Sequence, residues 1–184
     1  NEEWDDTEKL ITIYGIASGM SYLHSHKVIH RNLSPESIFF DEYLHPKIGN
    51  FGLLTQIHSN CSITHQTTIG IKGNIAYASP EILESYEYSK SSDVYAFSLI
   101  VYEIMTNKIP FENVSQTMNS LFKEVVTKNN RPKFDVEIPE CYRNLIEECW
   151  SQTPDDRPTF EMIENALTSD PNFITKSIDK TKFN

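Results

Sequence analysis

The sequence predicts a mainly α-helical domain with a few short β-strands, and three observations carry that prediction. Apolar residues recur at helical spacing in five separate stretches. Between the first two stretches lie three short apolar pieces, Val28-Ile29, Ile38-Phe39-Phe40 and Pro46-Lys47-Ile48, split by turn residues as small strands around a loop are. From Gln56 to Lys72 the chain is polar, rich in Ser, Thr and His and without periodicity, and a loop of this length inside a compact domain is as a rule functional or mobile.

Taken in order, the first helix opens at Asp5-Asp6-Thr7-Glu8, a capping box, and carries Leu10, Ile13, Tyr14, Ala17 and Met20 to about His24. Asp93 to Met105 bears Val94, Phe97, Val101, Ile104 and Met105 and is apolar nearly all round, as a helix in the centre of a domain would be. Ser115 is the expected cap of a helix with Met118, Leu121, Phe122 and Val125. Tyr142, Leu145, Ile146 and Cys149 mark another, and Phe160, Ile163 and Leu167 a last one after Pro158. Residues 168–184 read as a polar tail.

Composition narrows the function classes. At 184 residues, 39% apolar and 23% charged, the chain has the make-up of one soluble globular domain. A net charge of −10 argues against nucleic acid or an anionic membrane as partner. The acidic start, Glu2, Glu3, Asp5, Asp6 and Glu8, reads as a solvated face. The three cysteines, Cys61, Cys141 and Cys149, lack metal-ligand spacing; Cys141 and Cys149 fall in a helical pattern and read as buried thiols of a reducing, cytoplasmic setting. No apolar stretch approaches a membrane span and no signal peptide is found. The opening on Asn1 leads us to expect part of a longer protein.

Five short motifs then fall in one order. His30-Arg31-Asn32-Leu33-Ser34-Pro35-Glu36-Ser37 resembles the catalytic loop of protein kinases, whose pattern is His-Arg-Asp-Leu-Lys-Pro-Glu-Asn. Lys47 to Leu53 resembles the strand and Asp-Phe-Gly turn that follow it. Gly73 to Glu81, ending Ala78-Ser79-Pro80-Glu81, resembles the close of the activation segment. Asp93 to Ser98 is similar to the start of the central helix, and Glu148-Cys149-Trp150 through Pro154 to Phe160 to the last two helices. Any one of these arises by chance, but all five in order identify the chain as resembling the C-terminal, helical lobe of a protein kinase domain over residues 1–167. The catalytic loop then lies in 28–40 and the activation segment in 50–81. Pro35-Glu36 together with the Cys-Trp and Arg-Pro-Thr-Phe ending is similar to the tyrosine-kinase-like group. The Gly-rich loop, lysine and glutamate of the small lobe have no counterpart here, so a small lobe is expected upstream.

The resemblance assigns roles residue by residue. Asn32 stands where the family has the aspartate that deprotonates the substrate hydroxyl, and an amide takes up no proton at neutral pH. Ser34 replaces the lysine that neutralises the transferring phosphate. Ser37 and Asn50 replace an asparagine and an aspartate that hold magnesium, a cation that prefers carboxylate oxygen. Asn74 replaces a threonine that hydrogen-bonds the first two groups. Phe39 falls where a leucine usually packs under adenine; its ring would crowd that pocket, or else it is an aromatic core residue on a short strand. Structural positions are kept: His30 and Phe51 match a stacked spine, Asp93 the buried acid that accepts backbone hydrogens of the catalytic loop, and Glu81 with Arg157 a buried ion pair. Arg31 would bind a phosphate on Thr67 or Thr68, or else is a solvated arginine.

Each such catalytic loss typically costs about 10²- to 10⁴-fold in rate, and groups that act as a unit do not multiply cleanly. The expectation is therefore a pseudokinase, a protein-binding or allosteric module with a protein partner and no cofactor of its own. An active serine/threonine kinase of the tyrosine-kinase-like group, using ATP and magnesium, is the alternative, and a partial gene product without activity the third.

Overall fold

The computed structural model describes residues 4–50, the backbone of 55–56, 74–174 and 178–179. The first helix, α1 (Asp6–Ser25), begins where the capping box places it: the Glu8 N–H donates to Asp5 Oδ1 at 2.8 Å and the Asp5 N–H to Glu8 Oε2 at 3.0 Å. These bonds satisfy two donors that a helix start would otherwise leave open. Leu10, Ile13, Ile16, Ala17 and Met20 form its buried stripe.

Three short strands follow at the places the sequence indicates, β1 (Val28–Ile29), β2 (Ile38–Phe40) and β3 (Pro46–Ile48). β2 and β3 pair antiparallel, Ile38 opposite Ile48 and Phe40 opposite Pro46, while β1 pairs antiparallel with β4 (Thr55–Gln56). The β2–β3 hairpin lies across α1, and two glycines allow the approach. A Cβ on Gly15 would stand 2.4 Å from Pro46 Cγ, and one on Gly19 2.7 Å from Ile48 Cδ1. Spaced four apart, they make a single notch on one helix face.

The rest is helical. A short α2 (Pro80–Ser85) precedes α3 (Lys90–Thr106), which packs against α1 and against α5 (Glu140–Cys149); α1 also packs on α6 (Phe160–Ser169). From Ser92 to Tyr102 every residue of α3 is buried, so it is the core's central rod. Phe97 meets Phe160 edge to face at 5.3 Å there.

Several boundaries differ from the sequence reading, each for a local reason. α3 starts at Lys90 rather than Asp93, because Ser89 and Ser92 cap each other reciprocally. Thr117, not Ser115, caps α4 (Met118–Leu121), since the Thr117 hydroxyl accepts the Ser120 N–H. α4 then widens into a π-helical segment over Phe122–Thr127. Cys149 is buried, but Cys141 is half-buried and donates its thiol to the Asn172 carbonyl at 3.4 Å.

The 168–184 segment is not only a polar tail. Phe173 is buried edge to face on Tyr142 at 5.0 Å, Ile178 is buried, and the Asp179 N–H donates to Thr7 Oγ1 at 2.9 Å. Two apolar side chains thus draw the end of the described chain back onto the start of α1. The polar stretch 57–72 and Cys61 lie outside the described residues.

Candidate functional site

The site is assembled around one carboxylate. Asp93, on the first turns of α3, is buried and accepts the backbone N–H of His30 at 2.8 Å and of Arg31 at 3.0 Å. Its Oδ2 is also bonded to His24 Nε2 at 2.9 Å, and because a carboxylate only accepts, that imidazole nitrogen carries the proton. One side chain from the central helix therefore fixes the loop after β1 to the end of α1. Arg31 has φ 67, a left-handed conformation that a non-glycine residue adopts at a cost of about 1–2 kcal/mol, and the bond from its N–H to Asp93 holds it there.

His30 carries the network onward. Its Nε2 donates to the Gly49 carbonyl at 3.0 Å and its Nδ1 accepts the Asn32 N–H at 3.4 Å, which sets the neutral tautomer with the proton on Nε2. The Gly49 N–H in turn donates to the Ser37 carbonyl at 2.8 Å. The 30–37 loop and the end of β3 are thus stitched together from both sides of Gly49.

Ser37 is fully buried, and its hydroxyl is turned inward. It donates to the Ser34 carbonyl at 2.7 Å and accepts the Ser34 N–H at 3.1 Å, closing a ring around the turn Pro35–Ser37. Ser34 is buried as well, and its own Oγ has no hydrogen-bond partner among the described residues. Asn50 is exposed with φ 60, a left-handed position that Asn tolerates. Among the described residues no three His, Cys, Asp or Glu side chains come together as a metal-binding group.

Asn32 and Asn74, far apart in sequence, meet at one cavity of ≈ 20 Å³ with Arg31, Tyr77, Tyr88 and Asp93, room for a single water. Asn74 Oδ1 accepts the Ala76 N–H at 3.2 Å and caps the turn Ile75–Tyr77. The Tyr77 hydroxyl donates to Glu103, and burial first, then that carboxylate, pushes its pKa up. The Arg31 guanidinium lies over the Tyr88 ring at 4.4 Å, and the residue is half-buried.

Phe39 corrects one alternative: it is 55% exposed and is not a core residue. On β2 its ring lies across Gly49, where a Cβ would stand 2.7 Å from it. Glu81 and Arg157, from α2 and the approach to α6, form a bidentate pair at 2.7 and 2.9 Å. Arg157 also donates to the carbonyls of Ser91 and Ser151, both at 2.9 Å. Phe51, Thr67 and Thr68 lie outside the described residues.

Sequence reasoning missed His24, Tyr88 and the Tyr77–Glu103 bond. A signal for His24 was present: it follows Ile13, Ala17 and Met20 on the same helical stripe, a polar residue at a core position. Tyr88 and Glu103 carried none.

A single buried acid holding a His-Arg loop to a central helix and a clamp between Glu81 and Arg157 are contacts that the resemblance to protein kinases implies for these residues. The family model for protein tyrosine and serine/threonine kinases matches residues 1–167, and the chain belongs to that family. Its similar relatives include the dual specificity protein kinase pyk3 of Dictyostelium discoideum, 35% identical over 163 residues, 88% of this chain and 12% of that protein. A probable serine/threonine-protein kinase of the same organism is 31% identical over 164 residues, 89% of this chain and 12% of the relative. A probable LIM domain-containing serine/threonine-protein kinase, also from Dictyostelium, is 34% identical over 152 residues, 83% of this chain and 22% of the relative. The chain therefore spans only about an eighth of the length of the first two.

Proposed function

We propose that this chain is the C-terminal lobe of a pseudokinase of the tyrosine-kinase-like group, acting in the cytoplasm as a protein-binding or allosteric module. The observation that carries the reading is the Ser37 hydroxyl, closed onto Ser34 and buried at the position where the family's asparagine meets magnesium. A hydroxyl whose proton and one lone pair are bound inside the loop offers a cation nothing outward. Asn50 adds only a neutral oxygen where a hard cation prefers a carboxylate. These residues do not fit a nucleotide-bound magnesium ion. Asn32 accepts no proton, and Ser34, buried and short, reaches no phosphate.

The second reading, an active kinase using ATP and magnesium, is favoured by the relatives, which carry the names of dual specificity and serine/threonine kinases. Isothermal titration with magnesium and ATP separates the two. The pseudokinase reading expects no heat of binding, both for this chain and for a form completed with a small lobe. Ser37→Asn with Asn50→Asp should restore metal-nucleotide binding in the completed form, and Asn32→Asp with Ser34→Lys should then be required for phosphate transfer. Transfer by the unaltered residues would overturn the reading.

A further inference from the structure

A groove on the far side of the helices answers to none of this. Cys141, Asn144, Leu145 and Glu148 recur at helical spacing along α5 and form one wall. Ala166 and Asp170 of the α6 end face them, and Asn172 and Phe173 close the end of a cleft of ≈ 490 Å³. The floor is apolar, with Leu145 and Phe173 both buried. The rim carries Glu140, Glu148 and Asp170, and among the described residues no lysine or arginine lines the groove. Two of these carboxylates act on one thiol: burial first, and then Asp170 and Glu140, push the Cys141 pKa up. Residues 170–173, which complete the groove, fall beyond the 1–167 match to the kinase family model.

We propose that this groove docks a basic segment of a partner protein, with one aliphatic side chain against Leu145 and Phe173 and lysine or arginine side chains against the acidic rim. An apolar floor under a rim of one charge sign excludes an acidic ligand and leaves a purely polar one without a floor contact. A volume near 500 Å³ suits one or two side chains, so the anchor is short. The proposal rests on the protein-binding half of the reading above and not on loss of phosphate transfer. The magnesium–ATP titration tests that half separately, and the two fail independently.

Cys141 supplies a reporter inside the groove. The probe is an acetylated decapeptide with lysines flanking one central leucine, titrated calorimetrically into the full chain at low salt. Binding is expected, weakening at high salt as partly exposed charges are screened. Saturating peptide should slow alkylation of Cys141 by iodoacetamide about tenfold, a protection read by peptide mapping that resolves it from Cys61 and the buried Cys149. Glu140→Gln, Glu148→Gln and Asp170→Asn together keep shape and hydrogen-bond acceptors and should weaken binding about tenfold or more. A peptide with glutamate in place of lysine, or serine in place of leucine, should bind far less. Absence of binding, unchanged affinity in the triple variant, unprotected Cys141, or equal binding of the glutamate peptide would each overturn the proposal.

Discussion

Replacing Arg157 by alanine removes four hydrogen bonds from one guanidinium: two to Glu81, one to the Ser91 carbonyl and one to the Ser151 carbonyl. The Arg157 side chain is 0% exposed and that of Glu81 14%, so the stranded carboxylate keeps a little contact with water. Breaking a fully buried pair from one side costs roughly 3–5 kcal/mol, and this partial access puts the expected loss near the lower end, about 3 kcal/mol. Part of it is not electrostatic, because the guanidinium also packs on the Tyr95 ring at 5.2 Å. Arg157→Lys keeps the charge and the stem but loses the planar fork, and should cost about 2 kcal/mol through the lost charged hydrogen bonds. Glu81→Ala added to Arg157→Ala should recover part of the loss, since no carboxylate is then left stranded. Urea denaturation of the four proteins, with slopes compared as well as midpoints, measures all of this. A loss below about 1 kcal/mol for Arg157→Ala, the size of an exposed pair, would refute the clamp.

Two further changes test other parts of the core. Tyr95 is fully buried, its hydroxyl has no partner among the described residues, and burial, opposed by Arg131 and Arg157, pushes its pKa up to about 12. The unfolded chain releases this proton near pH 10 and the folded chain only near 12, so the unfolded state binds fewer protons in between and stability falls as pH rises through that window. Tyr95→Phe should be neutral or stabilising by about 1 kcal/mol at neutral pH and should lose less stability than the parent from pH 10 to 12; parallel curves would contradict the assignment. Gly15→Ala should destabilise by about 1–3 kcal/mol, because the new Cβ would lie 2.4 Å from Pro46 Cγ, outweighing the ~1 kcal/mol gained in helix propensity. Net stabilisation in thermal unfolding would mean that the hairpin does not press on this helix face.

What was legible in the sequence was local. The Asp5–Glu8 capping box, the pieces that became β1, β2 and β3, and the stripe of α1 each follow from a few neighbouring residues, and each was readable. Ser115 and Thr117 offer the same cap two residues apart, and only the bond to the Ser120 N–H decides between them. Phe39 and Phe40 are adjacent aromatic residues on one strand, and period alone would bury one of them, yet both are exposed; Gly49, facing the ring, leaves the room that Phe39 takes. Phe173 and Ile178 are isolated in a polar stretch, with no repeat to mark them as core. The contacts of Asp93 with His30, and of Glu81 with Arg157, join residues more than sixty apart and are invisible to local pattern. Resemblance to a family pointed to them, and the geometry gives them a physical form.

The contacts that hold the loop are separable from the side chains that departed from the kinase pattern. Asp93 grips the backbone of His30 and Arg31, and His30 grips the carbonyl of Gly49; none of these bonds uses the side chain of Asn32, Ser34, Ser37 or Asn50. Those three bonds therefore do not depend on the side chains at the four positions, whereas Asp93 holds the loop with three donors on one carboxylate. Ser37 goes further, since its hydroxyl adds two bonds to the turn. At this position the hydroxyl holds the turn closed and, on the reading proposed above, offers a cation no ligand, so stability and phosphate chemistry pull in opposite directions on one side chain.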